Sequence, residues 1–189
     1  MGRLGWQRMT EQAPSWTTRR QLSLFLPEPQ RSLVEPIRLR LDPIQHALIP
    51  AHVTLCRQDE LAPWRDIHQR LARLEDLAIT MAFGAPRELP DGSVLLRQTA
   101  GIEQFQALRR SLLGEACRDQ SAHLTLLHPR NAIGALHDLA AIARTLARLV
   151  VTFRTISLIE QRGCDPWRVE GEYGSAGHDP APASTAARP

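Results

Sequence analysis

The tetrapeptide His-x-Thr-Leu occurs twice in this 189-residue chain, as His52-Val53-Thr54-Leu55 and as His123-Leu124-Thr125-Leu126. Each copy sits in a short apolar run that reads as a strand, and each run stands in the same series of elements. In the first half, Gln21–Leu26 alternates as a strand. Leu33, Ile37 and Leu41 then recur at helical spacing, with Pro36 inside the pattern predicting a kink or a late helix start. The strand 49–56 follows. Trp64, Ile67, His68, Leu71 and Leu74 make a second helical stripe, and Leu77–Phe83 returns as a strand. In the second half the turn Pro90-Asp91-Gly92 leads into Ser93–Arg97. A helix is marked by Ile102, Phe105, Leu108 and Leu112, and Ala122–Leu127 is the motif strand. Leu136, Leu139, Ala140, Ala143, Leu146 and Ala147 form a further stripe. One long strand over Leu149–Ile159 follows, with Trp167–Tyr173 as its hairpin partner.

A repeat of this kind predicts an α+β fold of two pseudo-symmetric lobes, each an antiparallel sheet with helices on its outer face, around a central bilobal cleft. The halves span about 21–84 and 85–173. Residues 1–20 lack periodicity and are expected to be a flexible N-terminal segment. Residues 174–189, rich in Gly, Pro, Ala and Ser, are expected to be a disordered tail.

Composition narrows the function classes. Net charge is +3, yet residues 41–173 carry 15 Arg against 16 acids, so the folded body is nearly neutral. That argues against wholesale binding of nucleic acid and leaves room for a local basic site. Every basic residue is Arg and none is Lys, beside abundant Ala, which fits a coding bias better than a binding signal. No apolar run approaches the roughly 20 residues of a membrane span. Thr18-Arg19-Arg20-Gln21-Leu22 resembles a twin-arginine export signal, but its apolar stretch ends at Pro27, too short for one. Cys56, Cys117 and Cys164 form no CxxC pair, so reduced thiols in a cytoplasmic protein are expected and no metal site is.

The chemistry lies in the two motifs. On a strand, residues i and i+2 share a face. His52 and Thr54 therefore project together, as do His123 and Thr125, while Val53, Leu55, Leu124 and Leu126 enter the apolar layer. With the halves facing each other, two imidazoles and two hydroxyls converge on one cleft. One neutral imidazole can take a proton from water and a protonated one can give a proton to a leaving oxygen. The hydroxyls can bind the non-bridging oxygens of an anionic ester. A bell-shaped pH–rate profile is expected of such a pair, and neither histidine is assigned as acid or base by sequence alone.

The phrases LIPAHVTLCRQDEL and SAHLTLLHPRNA resemble the 2H phosphoesterase superfamily, in particular its bacterial branch labelled the 2′–5′ RNA ligase family. The resemblance covers most of residues 21–173. It implies a two-lobed α+β fold and action, without cofactor or metal, on 2′,3′-cyclic phosphates or 2′–5′ linkages of RNA ends or nucleotides. It implies catalysis by His52 and His123 and phosphate binding by Thr54 and Thr125. Ligase-like members often carry a basic residue soon after the second motif. Here Leu127-His128-Pro129-Arg130 follows it, which makes Arg130 the candidate for a further phosphate contact, with Arg57 and His128 as weaker ones. The expected partner is an RNA end or nucleotide bearing a cyclic phosphate, met by a monomer with no membrane association. Two alternatives stay open: a small cyclic nucleotide such as an ADP-ribose cyclic phosphate as substrate, and a non-catalytic RNA or nucleotide binder.

Overall fold

In both motif strands, side chains two apart share the same environment. In β2 (His52–Cys56) and β5 (His123–Leu127), the histidine and threonine are half-buried, and the residues between and after them are buried. Period-two burial of this kind is what a strand with one apolar face requires. The computed structural model of the chain describes residues 18–132 and 138–174.

Among the described residues, eight antiparallel strands form one sheet in the order β6-β3-β4-β5-β2-β1-β7-β8. The other six are β1 (Thr18–Phe25), β3 (Ile79–Glu88), β4 (Val94–Ala100), β6 (Val150–Phe153), β7 (Ile156–Arg162) and β8 (Arg168–Tyr173). Five α-helices among the described residues accompany them: α1 (Gln30–Leu41), α2 (Pro43–Leu48), α3 (Trp64–Leu71), α4 (Ile102–Leu113) and α5 (Leu139–Thr145). Val34 and Ile37 of α1, Ile67 and Leu71 of α3, Phe105 and Leu112 of α4, and Ile142 of α5 join Val53, Leu55, Leu124 and Leu126 in one hydrophobic core. The His/Thr face of the central strands is therefore the face turned away from that core. No helix among the described residues is long and apolar enough to cross a membrane.

The α+β antiparallel architecture expected from the repeat is present, with a different division of the chain. The two four-stranded halves are not separate sheets. They join at β2 and β5 through one residue pair, Val53 with Leu124. Nor do they follow the expected boundaries near residue 84. β3 pairs with β4 and β6, and β7 pairs with β1 and β8, so the first motif's half is completed by the end of the chain. The strand expected over Leu149–Ile159 is in fact β6 and β7, which run to distant places in the sheet. The chain leaves the strand conformation at Arg154-Thr155, between the buried Phe153 and Ile156.

Helix α1 starts at Gln30 rather than late, with Pro36 accommodated inside it. The Glu28 carboxylate accepts from the Ser32 amide at 3.2 Å and hydroxyl at 2.6 Å and holds the first turn. The buried face is centred on Val34 and Ile37, and Leu33 of the expected stripe is exposed. Gly101, before α4, has φ +80, and a Cβ there would lie 2.2 Å from the Thr80 carbonyl oxygen, so only glycine fits. β1 begins at Thr18, inside the segment expected to be flexible. Residues 1–17, 133–137 and 175–189 lie outside the described residues, and with them Leu136 and most of the expected tail.

Candidate active site

The register of β2 against β5 sets the site. Antiparallel pairing of Val53 with Leu124 brings His52 opposite Thr125 and Thr54 opposite His123, all four on one face. Each histidine thus neighbours the other half's threonine. The outer strands extend this floor. Phe25 and Ser23 of β1 pair with His52 and Thr54, and Arg97 and Leu95 of β4 pair with His123 and Thr125.

Both imidazoles are oriented in the same way. Nδ1 of His52 lies 2.8 Å from the carbonyl oxygen of Pro50, and Nδ1 of His123 lies 3.3 Å from that of Ser121. A carbonyl only accepts, so each Nδ1 carries the proton and each neutral ring keeps its lone pair on Nε2. Phe25 packs edge-on against His52 with centroids 6.0 Å apart. Burial pushes the His52 pKa down to about 4, with Arg38 and His123 adding to the fall against the Pro50 hydrogen bond. Burial lowers the His123 pKa as well, and Arg57 and Arg97 lower it further. His123 is thus near enough for its charge to act on His52.

A cavity of about 360 Å³ opens on the His123 side. His123, Thr125, Arg57, Arg97, Asp91 and His128 contribute to its wall. Arg57 and His128 occupy equivalent places, each five residues after its motif histidine, each preceding a single 3-10 turn (Gln58–Glu60 and Pro129–Asn131). Arg130 does not line this cavity. Its backbone amide donates to Nδ1 of His128 at 3.2 Å, which leaves the Nε2 proton of a neutral His128 as its donor. Of the basic candidates, Arg57 and His128 line the cavity beside His123 and Thr125, and Arg130 acts on it through its charge at His128.

Both turns are anchored by buried ionic groups. Asp42 accepts from the Gln45 amide at 2.9 Å, the His128 amide at 2.8 Å and the Asn131 side chain at 2.7 Å. Arg109, fully buried on α4, donates to the Leu55 carbonyl and pairs with Glu60 at 2.6 Å. Glu60 in turn accepts from the Arg57 amide at 2.9 Å. Sequence reasoning missed Arg97, Phe25, Asp42 and Arg109. The first two are signalled only by register, which the intervening helices hide. The last two look like ordinary surface charges in a string of letters. Among the described residues, no three His, Cys, Asp or Glu side chains gather as a metal-binding group.

No protein-family model matches the sequence, and no curated protein matches it either. Solved structures do. E. coli LigT complexed with phosphate superposes with a TM-score of 0.56 at 14% identity, over 84% of this chain and 97% of that one. The chain has the fold of LigT. The LigT complex with 3′-AMP gives a TM-score of 0.53 at 17% identity over 82% and 96% of the two chains. A structure described as a phosphoesterase gives 0.53 at 15% identity over 82% and 97%. The LigT likeness spans nearly the whole of those proteins, so this chain carries both halves of that fold rather than one.

Proposed function

We propose that this protein is a 2H-type phosphodiesterase that opens 2′,3′-cyclic phosphates at RNA ends or on nucleotides. The observation that carries this is the cross-strand square of His52, Thr125, Thr54 and His123 on one face of β2 and β5. In this reading His52, held neutral by burial at neutral pH, is the general base: its Nε2 takes a proton from water as the water oxygen attacks phosphorus. The bond from phosphorus to one ribose oxygen breaks, and His123, as the imidazolium, gives that oxygen its proton. An anion bound beside His123 offsets the influence of Arg57 and Arg97 and favours the protonated form there. The Thr54 and Thr125 hydroxyls donate to the non-bridging oxygens, where charge builds in the transition state. LigT has been captured with phosphate and with 3′-AMP, ligands of the chemical kind this site suits. The same geometry serves the reverse reaction, joining of RNA ends.

The decisive test is hydrolysis of a short RNA ending in a 2′,3′-cyclic phosphate, in excess EDTA. We expect turnover by the wild type, and a loss of about 10²–10⁴-fold in His52→Ala and in His123→Ala, the usual size of an acid–base contribution. Full activity in either variant, or abolition by chelation alone, would overturn the mechanism.

A further inference from the structure

The two halves of the site match in backbone and differ in charge. The strand position opposite His52 is held by Phe25, and the corresponding position opposite His123 by Arg97. The position five residues beyond His52 is Arg57, and that beyond His123 is His128. The fold therefore does not demand a cation at these places, yet two permanent ones, Arg57 and Arg97, line the cavity beside His123. Both are exposed, and neither has an ion-pair partner among the described residues. The acid in this cavity, Asp91, accepts from the Ser93 amide and hydroxyl at 3.0 and 2.6 Å. Arg130 and Arg19 act on His128 against Asp42 and Asp91, whereas the charges acting on His123 are those of the two arginines Arg57 and Arg97. The cavity is thus cationic at one end and mixed at the other.

A cyclic phosphodiester carries a single negative charge, which two guanidiniums and an imidazolium exceed. We propose that Arg57 and Arg97 form a second-anion position, so that the preferred substrate carries another phosphate one nucleoside away from the one that reacts. Two sources supply that chemistry: a 5′-phosphate on a nucleoside 2′,3′-cyclic phosphate, or the internucleotide phosphate next to an RNA end. This rests on the phosphodiesterase reading above, and on that reading the surplus charge selects among its substrates.

The test compares kcat/KM for three substrates: a nucleoside 2′,3′-cyclic phosphate, its 5′-phosphorylated form, and a dinucleotide ending in the same cyclic phosphate. In the wild type we expect one or both of the latter two to exceed the first by about tenfold, the scale of one charge-assisted contact at an exposed site. That advantage should shrink as salt rises. A larger gain for the 5′-phosphorylated nucleoside assigns the position to a terminal phosphate, and a larger gain for the dinucleotide assigns it to an RNA strand. In Arg97→Gln and Arg57→Gln the ratio between substrates should fall towards one in at least one variant. Equal rates on all three in the wild type, or a ratio that survives both substitutions, overturn the second-anion position and leave the phosphodiesterase reading intact. Absence of turnover on all three would remove that reading and this inference with it.

Discussion

At the level of single residues, the site is governed by how much water each imidazole loses. His52 is the more perturbed, and the sign of the effect is fixed. Its unfolded form takes a proton near pH 6.5 and its folded form only near 4. Between those values the unfolded state holds more protons, so acid favours unfolding. The stability this residue contributes is complete above pH 6.5 and is lost as pH falls towards 4. The drop amounts to at most about 3 kcal/mol. Urea unfolding at pH 7 and pH 4.5 should therefore show a steeper loss in the wild type than in His52→Gln, and equal losses would refute the burial argument. The residues themselves were readable in the sequence, because a repeated tetrapeptide needs no structure to be seen. Their tautomers were not. The Pro50 and Ser121 carbonyls that set them lie two residues upstream, and nothing in the identity of those residues announces the contact.

Among the elements, the short turns after each motif do the positioning, and buried ions hold them. Asp42 both caps α2 and ties down His128 and Asn131. Asp42→Ala removes the cap and strands a backbone amide, and should cost about 2–4 kcal/mol, measured as a shift in denaturant midpoint. A change below 0.5 kcal/mol, about the effect of an ordinary surface substitution, would show that the carboxylate is not holding the turn. The strands and helices were legible wherever one residue type dominated a face, as in Trp64, Ile67 and Leu71 of α3. They were misread where a local pattern had two solutions. Leu33 continues the spacing of Ile37 and Leu41, but Val34 is the residue that faces the core. The β-branched run from Val150 to Ile159 looks like one strand, but its first part pairs with β3 and its second with β1 and β8.

For the whole molecule, the repeat gave the right number of motif strands and the wrong partition of the chain, because order along the chain is not order across a sheet. β3 leaves the first half for the second, and β7 and β8 return to complete the first. Neither half is a contiguous piece of chain, so the protein should unfold in one step. Far-ultraviolet circular dichroism and tryptophan fluorescence should report coincident transitions, and two separated midpoints would contradict this. The central register has one more consequence, which concerns insertions and deletions. One residue added within β2 or β5 would turn His and Thr into the core and Val or Leu into the cleft, since a strand alternates with a period of two. Changes of length must therefore accumulate outside those ten positions, while within them alternation matters more than identity. A fold kept at 14% identity to LigT is compatible with such a rule, under which most letters are free to change and two short strands keep count.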